Sequence, residues 1–182
     1  PKLPSRLIIK RPLGQGLRGW LARYALRREY HAYQRLSSIE GFAPCFGFFF
    51  ERYLVLGYVE GKALQPNQRL SQESTDGLRL SILEMHEAGV AHGDLKRHDN
   101  LLVAPNGKIF ILDLGTTWLK RAGFHPINHC LFAFFARTDL NAWIKHKYLG
   151  YENVTAADQP FLKRSWIERA LSYWRSRRRS NP

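Results

Sequence analysis

Two aspartates and an asparagine, Asp94, Asn100 and Asp113, have a spacing that could hold a metal ion beside a phosphate group. They belong to three segments, His92-Gly93-Asp94-Leu95-Lys96, Asn100-Leu101-Leu102-Val103 and Asp113-Leu114-Gly115. The 13 positions from Asn100 to Asp113 fit a loop, a tight hairpin turning at Pro105-Asn106-Gly107, and a return to the same place. The interval therefore predicts that Asn100 and Asp113 come together at one site.

These segments resemble the catalytic loop and metal-binding motif of the protein-kinase-like phosphotransferases. The resemblance implies ATP and Mg²⁺ as cofactors. Asp94 would accept or orient the proton of the acceptor hydroxyl, and Asn100 and Asp113 would hold Mg²⁺ against the nucleotide phosphates. Lys96 would lie near the transferred phosphoryl group. Such residues suit phosphoryl transfer, which demands positioning and charge neutralisation more than covalent chemistry.

A lysine and a glutamate upstream extend the resemblance. Kinase-like folds pair a strand lysine with a helix glutamate to hold the α and β phosphates. Lys10 follows the apolar run Leu7-Ile8-Ile9, and Glu29 lies 19 positions later in a predicted helix, so we expect an ion pair between them. The resemblance also places ATP in a cleft behind residues 58–61, with Tyr58 as a nucleotide contact.

Three departures narrow the resemblance. Gly93 replaces the arginine that receives an activation-loop phosphate in regulated protein kinases, which argues against control by such phosphorylation. The resulting His-Gly-Asp segment resembles that of RIO-type and aminoglycoside-type kinases. Asn100 lies six positions after Asp94, one more than usual, so Asp99 competes for its place; the apolar run after Asn100 favours Asn100. No Ala-Pro-Glu segment follows Asp113.

The segment Gly14-Gln15-Gly16-Leu17-Arg18-Gly19 matches a glycine-rich nucleotide loop, but it stands in the wrong order. In kinases the glycine loop precedes the strand lysine, whereas Lys10 comes before Gly14. We therefore expect residues 14–19 to be a flexible loop with a mobile Arg18. The glycine-rich hairpin would be absent or lost upstream.

The closest subgroup resemblance rests on the second half of the chain, on Thr138-Asp139-Leu140, Trp143, Tyr148-Leu149 and a basic end. It is similar to the bacterial lipopolysaccharide kinases, which phosphorylate Kdo or core heptose. This implies a sugar hydroxyl of a glycolipid as acceptor, at the cytoplasmic face of the inner membrane. The alternatives are a RIO-like protein Ser/Thr kinase, a soluble small-molecule kinase, and a pseudokinase scaffold.

The net charge of +13 is concentrated at the two ends of the chain. Residues 1–35 hold nine Lys or Arg and one acid, residues 163–182 hold seven and one, and residues 36–162 hold twelve and thirteen. Such ends favour an anionic partner, and a membrane suits them better than nucleic acid because no nucleic-acid motif accompanies the charges. In a helix over residues 163–175, Trp166, Ala170 and Trp174 would share one face, which would lie on a membrane or pack on the core.

Composition and periodicity predict a folded α+β protein. With 45% hydrophobic residues the chain is not disordered, and Cys45 and Cys130 are too few for a disulfide framework, which indicates a cytoplasmic protein. We expect a reduced two-lobe kinase-like fold, with an N-lobe over residues 1–57 and a mainly helical C-lobe over residues 58–182. Helices are predicted over 20–36, 71–88, 126–149 and 160–175, and strands over 7–10, 48–50, 53–56, 90–91, 101–103 and 109–112.

Overall fold

An antiparallel sheet forms the first part of the computed structural model, which describes residues 6–163. Its strands β1 (Leu7–Lys10), β2 (Cys45–Phe49) and β3 (Tyr53–Gly57) have the order β1–β3–β2. The alternation of β3 buries Leu54 and Leu56 and leaves the residues between them partly exposed. The predicted strand and hairpin are thus confirmed, with β2 beginning three residues earlier than expected.

Helix α1 (Gly16–Arg35) connects β1 to β2 and corrects the expected flexible loop. Residues 16–19 form the first turn of the helix, so the prediction of a loop is wrong there, while the mobility of Arg18 stays a prediction. The turn closes with a hydrogen bond from the Gly19 N–H to the carbonyl oxygen of Gln15 at 3.3 Å. Position 19 suits glycine, because a Cβ there would lie 2.6 Å from the carbonyl oxygen of Gly14. Leu17, Arg18 and Trp20 then continue the helix as ordinary helix-forming residues.

Two further helices form the second part of the chain, as predicted. Helix α2 (Gln72–Glu87) begins at Ser71, whose side chain accepts the backbone N–H of Ser74, and it buries Leu78, Ile82 and Met85 on one face. Helix α3 (Pro126–Tyr148) packs against α2 and buries Trp143, whose indole N–H donates to the Thr75 carbonyl at 2.7 Å. The two helices build the core on which the loops between them rest.

Five short strands lie in this part of the chain, one before α2 and four between α2 and α3. They are β4 (Lys62–Ala63), β5 (Val90–Ala91), β6 (Leu101–Val103), β7 (Ile109–Ile111) and β8 (Trp118–Leu119), arranged as β4–β6–β7 and β5–β8. The β6–β7 hairpin confirms the predicted turn at residues 105–107. Strands β4 and β8 have two residues each, too few for an alternating pattern to reveal.

The fold is α+β and is compatible with a reduced two-lobe kinase-like fold. The division into lobes at residue 57 stays a prediction. Gln159–Phe161 form a short 3₁₀ turn and Leu162 is extended, so the predicted helix over 160–175 does not begin at Pro160. The rest of that helix, with Trp166, Ala170 and Trp174, lies outside the described residues from 164 onward. No helix within residues 6–163 is long and apolar enough to cross a membrane.

Candidate active site

Lys10 joins two carboxylates at the end of strand β1. Its Nζ lies 2.6 Å from Oε1 of Glu29 on helix α1 and 3.3 Å from Oδ1 of Asp113, which follows strand β7. The ion pair between Lys10 and Glu29, expected from their 19-position interval, is therefore present. The structure brings together three of the site residues named from sequence, although they span more than a hundred positions of the chain.

Glu29 is the buried member of this cluster. Its side chain is 5% exposed, and burial raises the pKa of the carboxyl group while the adjacent Lys10 ammonium opposes the rise. The Asp113 carboxylate, by contrast, is 60% exposed. Lys10 therefore contacts both a buried carboxylate, that of Glu29, and an accessible carboxylate, that of Asp113.

Asp113 and Asn100 supply the oxygen atoms that a divalent cation would use. Asp113 has a left-handed backbone (φ 58°), which turns the chain sharply out of β7. Asn100 is 5% exposed and donates from Nδ2 to the carbonyl oxygen of Asp94 at 2.9 Å, which leaves its Oδ1 as the available acceptor. One carboxylate and one amide oxygen are hard donors, so this pair fits Mg²⁺, with nucleotide phosphates and water completing the shell.

A cavity of about 390 Å³ lies beside this cluster. Lys10, Tyr58, Asn100 and Asp113 line it, so four of the predicted contacts surround one space. Its apolar wall comes from both parts of the fold, with Ile8, Ala43, Leu56, Val59, Leu102 and Leu112. Such a cavity, apolar over most of its wall and charged at one end, suits a base and its phosphates.

Asp99, the competitor of Asn100, also lines the cavity but is held differently. Its carboxylate is exposed and pairs with the Arg97 guanidinium at 3.2 Å. Asn100 is buried and bonded to the loop that carries Asp94. The structure thus favours Asn100 as the residue fixed within the loop that carries Asp94.

Asp94 and Lys96 do not line the cavity, although their loop adjoins it through Asn100. Both are half-buried, and the carbonyl oxygen of Lys96 accepts a hydrogen bond from Lys145 Nζ at 3.2 Å. Their assigned roles in proton acceptance and phosphoryl contact stay predictions.

The loop before Asp94 is fixed by a buried aspartate on helix α3. Asp139 is fully buried and accepts the backbone N–H of His92 and of Gly93, each at 2.8 Å, and its Oδ2 lies 3.1 Å from Nε2 of His86. The sequence analysis places Asp139 only in a subgroup resemblance and misses this role. The signal that could have revealed it is an acidic residue within an apolar helical stretch, because a buried carboxylate needs hydrogen-bond donors.

His92 supports the same loop from inside the core. Its Nε2 lies 2.9 Å from the carbonyl oxygen of Leu112, and its Nδ1 accepts the N–H of Asp94 at 3.3 Å. These partners require a neutral ring with the proton on Nε2. His92 therefore has a structural role and ties Asp94 to Leu112, the residue that follows strand β7.

Comparison with known proteins supports the coarse resemblance. No protein-family profile matches the chain. A protein described as "Putative cyclin-dependent kinase F-2", from Oryza sativa subsp. japonica, is 34% identical over 89 residues, covering 41% of this chain and 26% of that protein. The similarity supports a kinase-like protein. It does not reach the lipopolysaccharide or RIO-type subgroups, and the chain spans about a quarter of the relative's length.

Proposed function

We propose that this protein transfers the γ-phosphate of ATP to a hydroxyl group in a Mg²⁺-dependent reaction. The observation that carries the proposal is the contact of Lys10 with both Glu29 and Asp113 at the charged end of the cavity. Phosphoryl transfer gathers negative charge around the nucleotide, and a cation fixed between two carboxylates beside oxygen ligands is suited to that charge.

Each residue then has a distinct task. Lys10, oriented by Glu29, binds the α and β phosphates, while Asn100 and Asp113 would hold Mg²⁺, which neutralises phosphate charge when bound. Tyr58 and the apolar wall contact the base. The Asp94 carboxylate takes the proton of the acceptor hydroxyl. The hydroxyl oxygen bonds to the γ-phosphorus as the bond between the γ-phosphorus and the leaving β-phosphate oxygen breaks. Lys96 contacts the transferred group.

Asp139 and His92 contribute by positioning rather than by contact with substrate. Their hydrogen bonds fix the backbone on both sides of Gly93, so Asp94 is held at the end of a rigid turn. Precise placement of a proton acceptor raises the rate because it lowers the entropy cost of reaching the reactive geometry.

For the acceptor we propose a sugar hydroxyl of a lipopolysaccharide core or Kdo precursor at the cytoplasmic face of the inner membrane. Two observations support this beyond the sequence resemblance. Around the start of α3, Phe124 is 90% exposed and Ile127 is 77% exposed. Lys120 and Arg121 are exposed directly before them in the chain. Exposed apolar side chains beside bases suit a lipid surface with anionic headgroups.

The test is turnover of radiolabelled ATP by the full chain with Mg²⁺ and three acceptors: core oligosaccharide with Kdo-lipid precursor, a generic protein, and a small polyol. We expect label in the glycolipid and none with the Asp94→Asn variant. Label in the generic protein would favour the RIO-like alternative, and label in the polyol a small-molecule kinase. Absence of turnover with all three would contradict phosphotransfer and favour a scaffold.

A further inference from the structure

A second cavity lies between helix α1 and residues 117–121. Its volume is about 720 Å³, larger than the cavity at Lys10. Tyr24 and Trp118 are among the residues that line it, one from each side. The two cavities share no lining residue, so a ligand bound in this one leaves the nucleotide cavity open.

The wall of this second cavity is cationic. Among residues 6–163, five Lys or Arg side chains line it and no Asp or Glu does; we name this set the cationic groove: Arg27, Arg28, Arg35, Lys120 and Arg121. Arg27 pairs with Glu51. Within residues 6–163, the other four bases form no ion pair with a carboxylate.

Two of these guanidinium groups are held in place by backbone carbonyl oxygens. Arg28 donates to the carbonyl of Gly115 at 2.5 Å, and Arg35 donates to those of Gly89 and Lys120, both at 3.0 Å. These backbone contacts fix the two guanidinium groups, so Arg28 and Arg35 contribute ordered positive charge to the wall of the groove.

We propose that the cationic groove binds a phosphate monoester, separate from the nucleotide. A monoester carries nearly two negative charges at neutral pH and offers several acceptor oxygens, which matches several bases without acidic partners. Guanidinium groups fit phosphate oxygens in a planar, two-pronged geometry. The volume and the rings of Tyr24 and Trp118 leave room for the group that carries the phosphate, such as a sugar.

The two ends of the given sequence are basic rather than acidic. Residues 1–5 and 164–182, beyond the described part, together contain seven Lys or Arg and a single acidic side chain, Glu168. They therefore offer the groove no acidic segment. The phosphate monoester could be free, as in a sugar phosphate, or displayed on a lipid headgroup, and these two sources share the chemistry that the groove recognises.

Binding is measured on the full chain without turnover, so the result does not depend on the proposed phosphotransfer. The free probe is glucose 6-phosphate with glucose as the uncharged control, measured by calorimetry at low salt. The lipid probe is sedimentation with vesicles of phosphatidylcholine, with and without phosphatidic acid. The groove variant is Lys120→Gln/Arg121→Gln. The matched control, Arg52→Gln/Arg69→Gln, removes the same charge from exposed positions outside the groove.

We expect the groove variant to weaken binding of at least one phosphate probe by about tenfold or more, and the control variant by less than about twofold. Lys10→Met should leave this binding unchanged, since Lys10 lines the other cavity. Equal effects of the two double variants would mean that net charge alone explains the binding, which would overturn the proposal. Loss of binding in Lys10→Met, or binding of neither phosphate probe by the native chain, would also overturn it.

Discussion

The buried carboxylate of Asp139 accepts the backbone N–H of His92 at 2.8 Å, and this contact joins helix α3 to the loop that carries Asp94. Asp139→Ala would leave the N–H groups of His92 and Gly93 unpaired. Each unpaired buried donor costs about 1–3 kcal/mol, so we expect urea unfolding to show a loss of about 2–5 kcal/mol. The exposed Glu84→Ala should change stability by less than about 0.5 kcal/mol. A similar small effect for Asp139→Ala would show that the contact is unimportant.

Substitutions of Asp94 and Asp113 should impair different steps if the proposed roles of these residues are right. Asp94→Asn should cut turnover by about a hundredfold or more with Mg·ATP affinity nearly intact, because only proton acceptance is lost. Asp113→Asn should weaken Mg²⁺-dependent nucleotide binding. Steady-state kinetics and nucleotide titrations with and without Mg²⁺ measure the two effects. An Asp94→Asn enzyme that keeps most of its activity would refute the role of that carboxylate.

Lys10 and Glu29 should behave as one unit. Their charged atoms lie 2.6 Å apart, and either substitution, Lys10→Met or Glu29→Gln, removes the same contact. The double variant should therefore lose less nucleotide affinity than the sum of the single losses, with a coupling of about 0.5–3 kcal/mol. The four affinities of the cycle measure this directly. Strict additivity would mean that the pair does not act together on the nucleotide.

His146 should make the fold sensitive to acid. Burial lowers its pKa to about 4, with a smaller effect from His98 and Lys145, and its Nε2 lies 2.8 Å from the carbonyl oxygen of Leu95. In the unfolded chain a histidine has a pKa of about 6.5. Between these values the unfolded state binds more protons, so stability should fall as pH decreases from about 6.5 to about 4, by about 3 kcal/mol.

The matched variant for this effect is His146→Gln, whose amide can still donate to Leu95 but cannot be protonated. Urea unfolding at several pH values between about 4 and 7 should show a flatter profile for this variant than for the native chain. Identical slopes would assign the acid sensitivity to other groups, of which His98, with its own lowered pKa from burial, is the nearest.

The exposed apolar residues at the start of α3 should contribute to lipid binding if the acceptor is a glycolipid. Phe124→Ser/Ile127→Ser should reduce sedimentation with anionic vesicles severalfold, because each side chain loses its burial in the lipid interface. Leu13→Ser/Leu17→Ser removes two side chains of similar exposure, 71% and 73%, at another place. Equal loss in both variants would mean that no specific lipid-facing surface exists there.

The charged tail gives a separate lipid test. A chain ending at Ser176 lacks Arg177, Arg178 and Arg179, and each base near an anionic bilayer contributes about 1 kcal/mol. Truncation should therefore weaken binding to anionic vesicles, most strongly at low salt, and leave neutral vesicles unaffected. Unchanged sedimentation with anionic lipid would count against a role for the tail.

Local patterns were sufficient for most of the helices and strands. The period of Leu78, Ile82 and Met85 predicts α2, and the turn at residues 105–107 predicts the β6–β7 hairpin, because both depend on neighbours within a few positions. The contact between Lys10 and Glu29 also followed from a short interval and a known pattern. The helical start at Gly16 did not, because three glycines in residues 14–19 indicate a loop by their low helix propensity.

The sequence by itself determined the α+β class, the ion pair of Lys10 with Glu29, and the excess of positive charge. Only the tertiary structure decided that Asp139 holds the loop at His92, and that Arg28 and Arg35 lie in the same groove as Arg121. Asp139 is 47 positions from His92, and Arg121 is 86 positions from Arg35. At such separations the meeting of two side chains depends on how whole helices pack, and no local spacing encodes it.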